Sequence, residues 1–287
     1  MSFNCAQPCG IGAGRLVRAE ILAALVFLQS GPSFSQTTLS EAPAEFPSTP
    51  SGPEALSPEE LDAFGLVMES GPPSQVIVRA EAFHHQYPDS QLLPLAQLRE
   101  MRAEIQINSY EGAVALGQEL LRQNPNNLEA LVLLAGVLPN FPPAYSAERK
   151  AKALKQAADD IQGATQLLHT FHIMEGVSVN SFLQNKRRLY VSLKEAAAFL
   201  DLVSANYEGA IRQYQAALAE DPAPSAVTYL RLGMAYYAAG QLDRAGPPLE
   251  KAMQADTEVI RQQAGKLLKD ITSNRNAFHN TPSETER

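Results

Sequence analysis

One four-residue string occurs twice in the chain. Tyr110-Glu111-Gly112-Ala113 returns as Tyr207-Glu208-Gly209-Ala210, 97 residues later. Each copy leads into a helical pattern that stops at a proline, Pro125 or Pro222, 15 residues after its tyrosine. A third frame follows as Tyr229-x2-Leu232-Gly233-x2-Tyr236, then Gly240, then Ala245-x3-Leu249 and Ala252. Its Ala245, Leu249 and Ala252 stand 35 residues after Ala210, Tyr214 and Ala217. Self-similarity at this period means one supersecondary unit stacked on itself, each copy too small to bury its apolar face alone. From Ser57 to Ile271 apolar residues recur at three and four, broken by Pro, Gly and Asn clusters, with no convincing strand pattern. The expected fold is all-α.

These residues resemble the tetratricopeptide repeat. That pattern has an aromatic, Leu-Gly and a second aromatic on helix A, Ala-x3-aromatic on helix B, and a closing proline. Its logic is steric: Gly233 and Ala245 let the two helices approach, while Tyr229, Leu232, Tyr236 and Leu249 fill the space around them. The resemblance implies a right-handed α-solenoid of helix-turn-helix hairpins. Five units are placed at about 57–88, 92–125, 127–170, 181–222 and 226–257, with a capping helix over 258–271. Ser57-Pro58-Glu59-Glu60 starts the first with a capping box. The fit is uneven. Gly117 stands where helix B of the second unit should carry an aromatic. Pro247 and Pro248 should loosen or kink helix B of the fifth, which ends on Thr257 in place of a proline. The third unit is longest, with a turn at Phe141-Pro142-Pro143 and one long helix from Ala147 to Leu168.

The flanks read differently. Arg15 and Arg18, the apolar run Ile21–Leu28 and the small residues Ser33 and Ser35 have the layout of a signal peptide over 1–35, cut before Gln36. A buried or amphipathic N-terminal helix is the other reading. The apolar run falls well short of the ~20 residues that span a bilayer. Residues 36–56 are rich in Pro, Ser and Thr and read as a disordered linker, and 272–287 as a disordered tail. Both cysteines, Cys5 and Cys9, lie in the leader, which excludes a disulfide framework or a thiol site in the folded body. The expected location is periplasmic or secreted.

Candidate chemistry is sparse. His169-x2-His172-x2-Glu175 is the one cluster with ligand spacing. On a helix the two imidazoles would share a face, but Glu175 would have rotated away. A metal-binding protein or enzyme using His169 and His172 is therefore a rival reading, while the expectation is no catalytic site, no metal and no cofactor. Gly10-x-Gly12-x-Gly14 follows no strand. Lys186-Arg187-Arg188 is the densest basic run, read as a solvated face or an acidic partner's docking patch. A net charge of −8, from 23 basic and 31 acidic residues, argues against nucleic acid as a partner.

In tetratricopeptide arrays the A helices line an inner groove that holds peptides. Carried over by frame, the groove positions are Glu195, Phe199, Leu202 and Val203 in the fourth unit and Val227, Leu230, Met234 and Tyr237 in the fifth. They are mostly apolar and lack the Lys, Arg and Asn with which chaperone-tail-binding members clamp a carboxylate. Either they bind a peptide or amphipathic helix of another protein, or they are covered by the chain's own capping helix or by a second copy. The resemblance implies a non-catalytic scaffold for protein–protein interaction in the cell envelope, with an envelope or pilus assembly subunit as its specialised form.

Overall fold

The computed structural model describes residues 56–140, 142, 144–172 and 178–279, the last six by their backbone alone. These residues hold eleven helices and no strand. They are α1 Pro58–Met68, α2 Pro73–Gln86, α3 Leu93–Gln106, α4 Tyr110–Gln123, α5 Leu128–Val137, α6 Ala147–His169, α7 Val179–Val203, α8 Tyr207–Glu220, α9 Ala226–Ala238, α10 Leu242–Ala252 and α11 Glu258–His279. Each odd-numbered helix pairs with the next to form a hairpin, and each hairpin packs on its neighbours alone, so the architecture is an α-solenoid of five hairpins closed by α11.

Local chemistry sets the helix starts. Ser57, Asn127, Ser146, Ser178, Asn206 and Ser225 each accept the N–H of the residue three positions on. The Glu60 carboxylate is engaged by the Ser90 hydroxyl and so ties α1 to the α2–α3 connection. Three A-to-B turns share one geometry. Asn108 (φ 61°), Ala205 (φ 61°) and Gly240 (φ 75°) each sit in the left-handed region. The next residue then donates its N–H five positions back, Ser109 to Glu104 O, Asn206 to Asp201 O and Gln241 to Tyr236 O, at 2.8–2.9 Å. The repeated Glu of the two identical strings reaches from the start of helix B to the connection between the helices of the next unit. Glu111 accepts from the Tyr145 hydroxyl (3.0 Å), and Glu208 accepts from Gln241 Nε2 (2.6 Å).

In two hairpins a large side chain on one helix meets a small one on the other. The pairs are Met101 with Gly117 and Gly233 with Leu249, at matching positions of units two and five. A Cβ on Gly117 would lie 2.6 Å from Leu134 Cγ and 2.9 Å from Met101 Cε. A Cβ on Gly233 would lie 2.5 Å from Leu249. The departure at Gly117 is thus compensated: Leu134 of α5 and Met101 occupy the space an aromatic would take. α10 runs through Pro247 and Pro248, which remove two rungs of its ladder without ending it.

α5 and α9 are buried on nearly all sides, as their almost wholly apolar sequences require. α11 closes the array by setting Ile260, Ala264, Leu267 and Ile271 into the core of the last two units. It continues past Ile271, where the sequence pattern had placed its end. Nothing between Thr272 and His279 stops a helix, and the next proline is Pro282. Thr272 Oγ1 donates back to Leu268 O at 2.9 Å, taking up its own hydroxyl within the turn.

Candidate interaction surface

The inner positions named from the repeat frame are packed. Leu230 and Met234 are 0% exposed, and Phe199, Leu202, Val227 and Tyr237 are buried with them. Glu195 and Val203 are half-buried. All the apolar members belong to one core cluster or pack against it, together with the residues α11 contributes. A partner could not reach Leu230 or Met234 without displacing part of the chain's own core. Period and frame specify which face a residue takes, but not what lies over that face.

The inner seams between successive A helices are polar. Glu129, the one charged residue of α5, takes Arg102 of α3 and Arg188 of α7, the latter at 2.9 Å. Its side chain is 21% exposed. Burial alone would raise its carboxyl, but the two guanidiniums outweigh that and hold it at about 2. Farther along, Thr228 Oγ1 of α9 donates to Glu195 of α7, and Ser225 shares a 2.8 Å hydrogen bond with Thr228. Arg231 lies over the Phe199 ring, 4.0 Å from its centroid. Burial pushes Glu195 up to about 6, against the lowering effects of Thr228 and Arg231.

α6 and α7, with 23 and 25 residues, are far longer than the other hairpin helices, which have 10–14. The first three turns of α7 carry an exposed stripe. Val179 and Leu183 are 62% and 54% exposed at i and i+4. Phe182 stacks on Phe171 at 5.4 Å between ring centroids, and Lys186 Nζ donates to Phe171 O at 3.3 Å. Lys186, Arg187 and Lys194 continue the same face. Arg187 meets the exposed Glu220 at 3.7 Å, and Lys194 lies 5.3 Å from the Tyr190 ring centroid. The basic run is therefore divided: Arg188 is committed to Glu129, Lys186 folds back onto Phe171 O, and Arg187 is exposed beside Glu220. Sequence reasoning treated the run as one patch. It missed Arg102 and Glu129 entirely, though a lone glutamate in the apolar string Leu128–Val137 was a signal for a buried partner.

The histidines do not meet as their spacing implied. α6 ends at His169 with Thr170 as its cap, so His172 lies beyond the helix. Glu175 lies outside the described residues. Among the described residues no group of three or more His, Cys, Asp or Glu could hold a metal ion. No described helix is long and apolar enough to cross a membrane.

The architecture is that of a tetratricopeptide-repeat solenoid. A thermophilic TPR protein of Thermus thermophilus superposes with a TM-score of 0.52 at 19% identity, covering 74% of this chain and 96% of its own. A tetratricopeptide repeat protein from Parabacteroides merdae aligns at 15% identity with a TM-score of 0.37, over 77% of this chain and 89% of its own. No family model matches the sequence. No curated protein matches it either.

Proposed function

We propose that this chain is a non-catalytic interaction scaffold of the cell envelope, and that it docks a peptide or amphipathic helix of another protein on the exposed face of α7. The single observation behind the reading is the stripe Val179–Leu183 followed by Lys186 and Arg187. Two large apolar side chains stand in water next to a half-buried lysine held by Phe171 O and an exposed arginine that meets Glu220 at 3.7 Å, on a helix extended well past the length its hairpin needs. An exposed apolar patch rimmed by polar groups is the usual mark of an interaction site. The solenoid supports this role, because a stack of hairpins presents an extended surface while each unit is held by its neighbours. Export rests on the leader pattern of residues 1–35, and N-terminal sequencing of material from the periplasm or medium tests it. A chain that still begins at Met1 there refutes cleavage.

The docking test is Val179→Asp combined with Leu183→Asp. Capture of a protein from envelope extract should fall at least tenfold with the melting temperature unchanged, since neither side chain lies in the core. Undiminished capture refutes the assignment of the surface. Leu230→Asp is the contrasting variant and is expected to unfold the last two units.

A further inference from the structure

The two ends of the solenoid carry opposite charge on matching frames. At one end α1 sets Phe64 and Val67 into the core of the first unit and turns Asp62, Gly65, Leu66 and Glu69 outward, all exposed. A Cβ on Gly65 would meet nothing within 4 Å, so the middle of this face is bare. An end unit that closes an array needs a polar outer face. α1 instead leaves Leu61 and Leu66 46% and 52% exposed. At the other end α11 sets Ile260, Ala264, Leu267 and Ile271 into the core and turns Gln262, Gly265, Lys266 and Lys269 outward. Gly265 lies beside the exposed Met253, whose Sδ would stand 3.4 Å from an added Cβ. Both sets have the spacing i, i+3, i+4, i+7, which is one stripe on one helix face.

Laid antiparallel, the stripes pair position by position. Each step forward along α1 is one step back along α11. Asp62 therefore falls opposite Lys269, Gly65 opposite Lys266, Leu66 opposite Gly265 and Glu69 opposite Gln262. The aspartate meets a lysine. Leu66 enters the space over Gly265, against the Met253 side chain. The Lys266 stem crosses Gly65, where no side chain stands in its way. Glu69 is already held by Arg79 at 3.4 Å, and Glu258 by Arg261 at 3.2 Å, so neither disturbs the match. Like ends do not fit. Two α1 faces laid the same way set Asp62 opposite Glu69 twice, and two α11 faces bring the lysines of both copies onto one contact.

We infer that the two ends of the solenoid are complementary docking surfaces for a second copy of this chain, with Asp62 and Leu66 of α1 seated on Lys269 and Gly265 of the neighbour's α11. The contact is heterologous. Each copy keeps one free end after it forms, so association is open-ended. α1 is 11 residues long, or ~16 Å, so the contact sits at the small end of interface sizes and holds only at high protein concentration. It would repeat the α7 face from copy to copy, and it stands or falls independently of the role of that face.

The test is sedimentation of the full chain at concentrations up to ~1 mM. The average mass should climb with concentration past two copies. It should fall back toward one copy in ~1 M salt, where the screening length is ~3 Å. Asp62→Lys and Lys269→Asp should each weaken association by about fivefold, since each sets like charges together. Their melting temperatures should stay unchanged, because both side chains are exposed. Carried together in one chain, the two substitutions should restore association, because each end then meets the exchanged charge. A chain that stays single at every concentration overturns the inference. So does a mass that stops at two copies, or a double variant that associates no better than either single one.

Discussion

Two seams between neighbouring A helices each bury a glutamate, and they hold it in opposite ways. At the α3–α5–α7 seam Glu129 is touched by two arginines and sits at about 2. At the α7–α9 seam Glu195 has a hydroxyl donor, its nearby arginine is turned onto Phe199, and burial carries it to about 6. Burial pushes both carboxyls upward, so depth does not explain the difference. Direct guanidinium contact does. Glu100 on α3 marks the far end of the series. It is buried, its neighbouring charges are Glu81 and Glu104, and it rises to about 7. One side chain type in one architecture thus spans the range from a fixed anion to a group neutral at mild acidity.

The largest expected effect comes from breaking the first seam. Glu129→Gln leaves two arginines facing each other without their shared anion. A folded value of about 2 against 4.5 for the free side chain corresponds to stability present above pH 4.5 and lost as the pH falls toward 2. The gap is ~3 kcal/mol at 1.36 kcal/mol per unit. Urea unfolding at pH 7 should show a loss of about that size, and parent and variant should converge as the pH drops. A loss that does not depend on pH would place the cost in packing and break the comparison.

The opposite sign is expected at Glu100. A carboxyl raised to about 7 is neutral in the folded protein at pH 4.5 and must ionise in place by pH 8, so it costs stability as the pH rises through that window. Glu100→Gln should therefore stabilise by up to about 3 kcal/mol at pH 8 and leave pH 4.5 nearly unchanged. Glu195→Gln should do the same by about 1 kcal/mol, because its value is lower and Thr228 loses a charged acceptor. Thermal melts across pH 4.5–8 order the three variants. A destabilised Glu195→Gln at pH 8 would mean that Arg231 neutralises Glu195 from its place over Phe199, which would narrow the contrast between the seams.

How much of this the sequence carried follows from the distance over which each cause acts. Hairpin boundaries depend on neighbours in the chain, such as the cap at Ser225, the left-handed turn at Gly240 and the close approach at Gly233, and these leave local marks. The exchange of Met101 with Gly117 for Gly233 with Leu249 is also written in the string, but only a reading of both helices together explains the missing aromatic. The inner face was less legible. Leu230 and Met234 have the period of a groove, and only the placement of Ile260, Leu267 and Ile271 shows that they are core. The seam at Glu129 draws on partners 27 and 59 residues away, beyond any periodic signal. His169 and His172 failed for the reverse reason: their spacing presumed a helix that ends at the first of them.

The smallest effect tests the two copies of the repeated string against the third unit. Asn108, Ala205 and Gly240 occupy the same left-handed turn position, with φ of 61°, 61° and 75°. Glycine adopts that conformation freely, and asparagine tolerates it through its short polar side chain. Alanine has neither advantage, so the α7–α8 turn carries strain of ~1 kcal/mol that its counterparts lack. Ala205→Gly should stabilise by up to about that amount, less the entropy the glycine adds to the unfolded chain. Gly240→Ala should destabilise by a similar amount, because a cap in that conformation loses its permissive residue. Asn108→Gly should destabilise by about 1 kcal/mol, because it removes the acceptor of the Tyr110 hydroxyl's 2.8 Å hydrogen bond. None of the three substitutions removes a charge, so the shifts at Asn108 and Gly240 should stay the same from pH 4.5 to pH 8. Beside Ala205, the Asp201 carboxylate accepts from Asn206 Nδ2 at 2.8 Å and is raised by burial, so a pH-dependent shift confined to Ala205→Gly would show that this turn is coupled to Asp201.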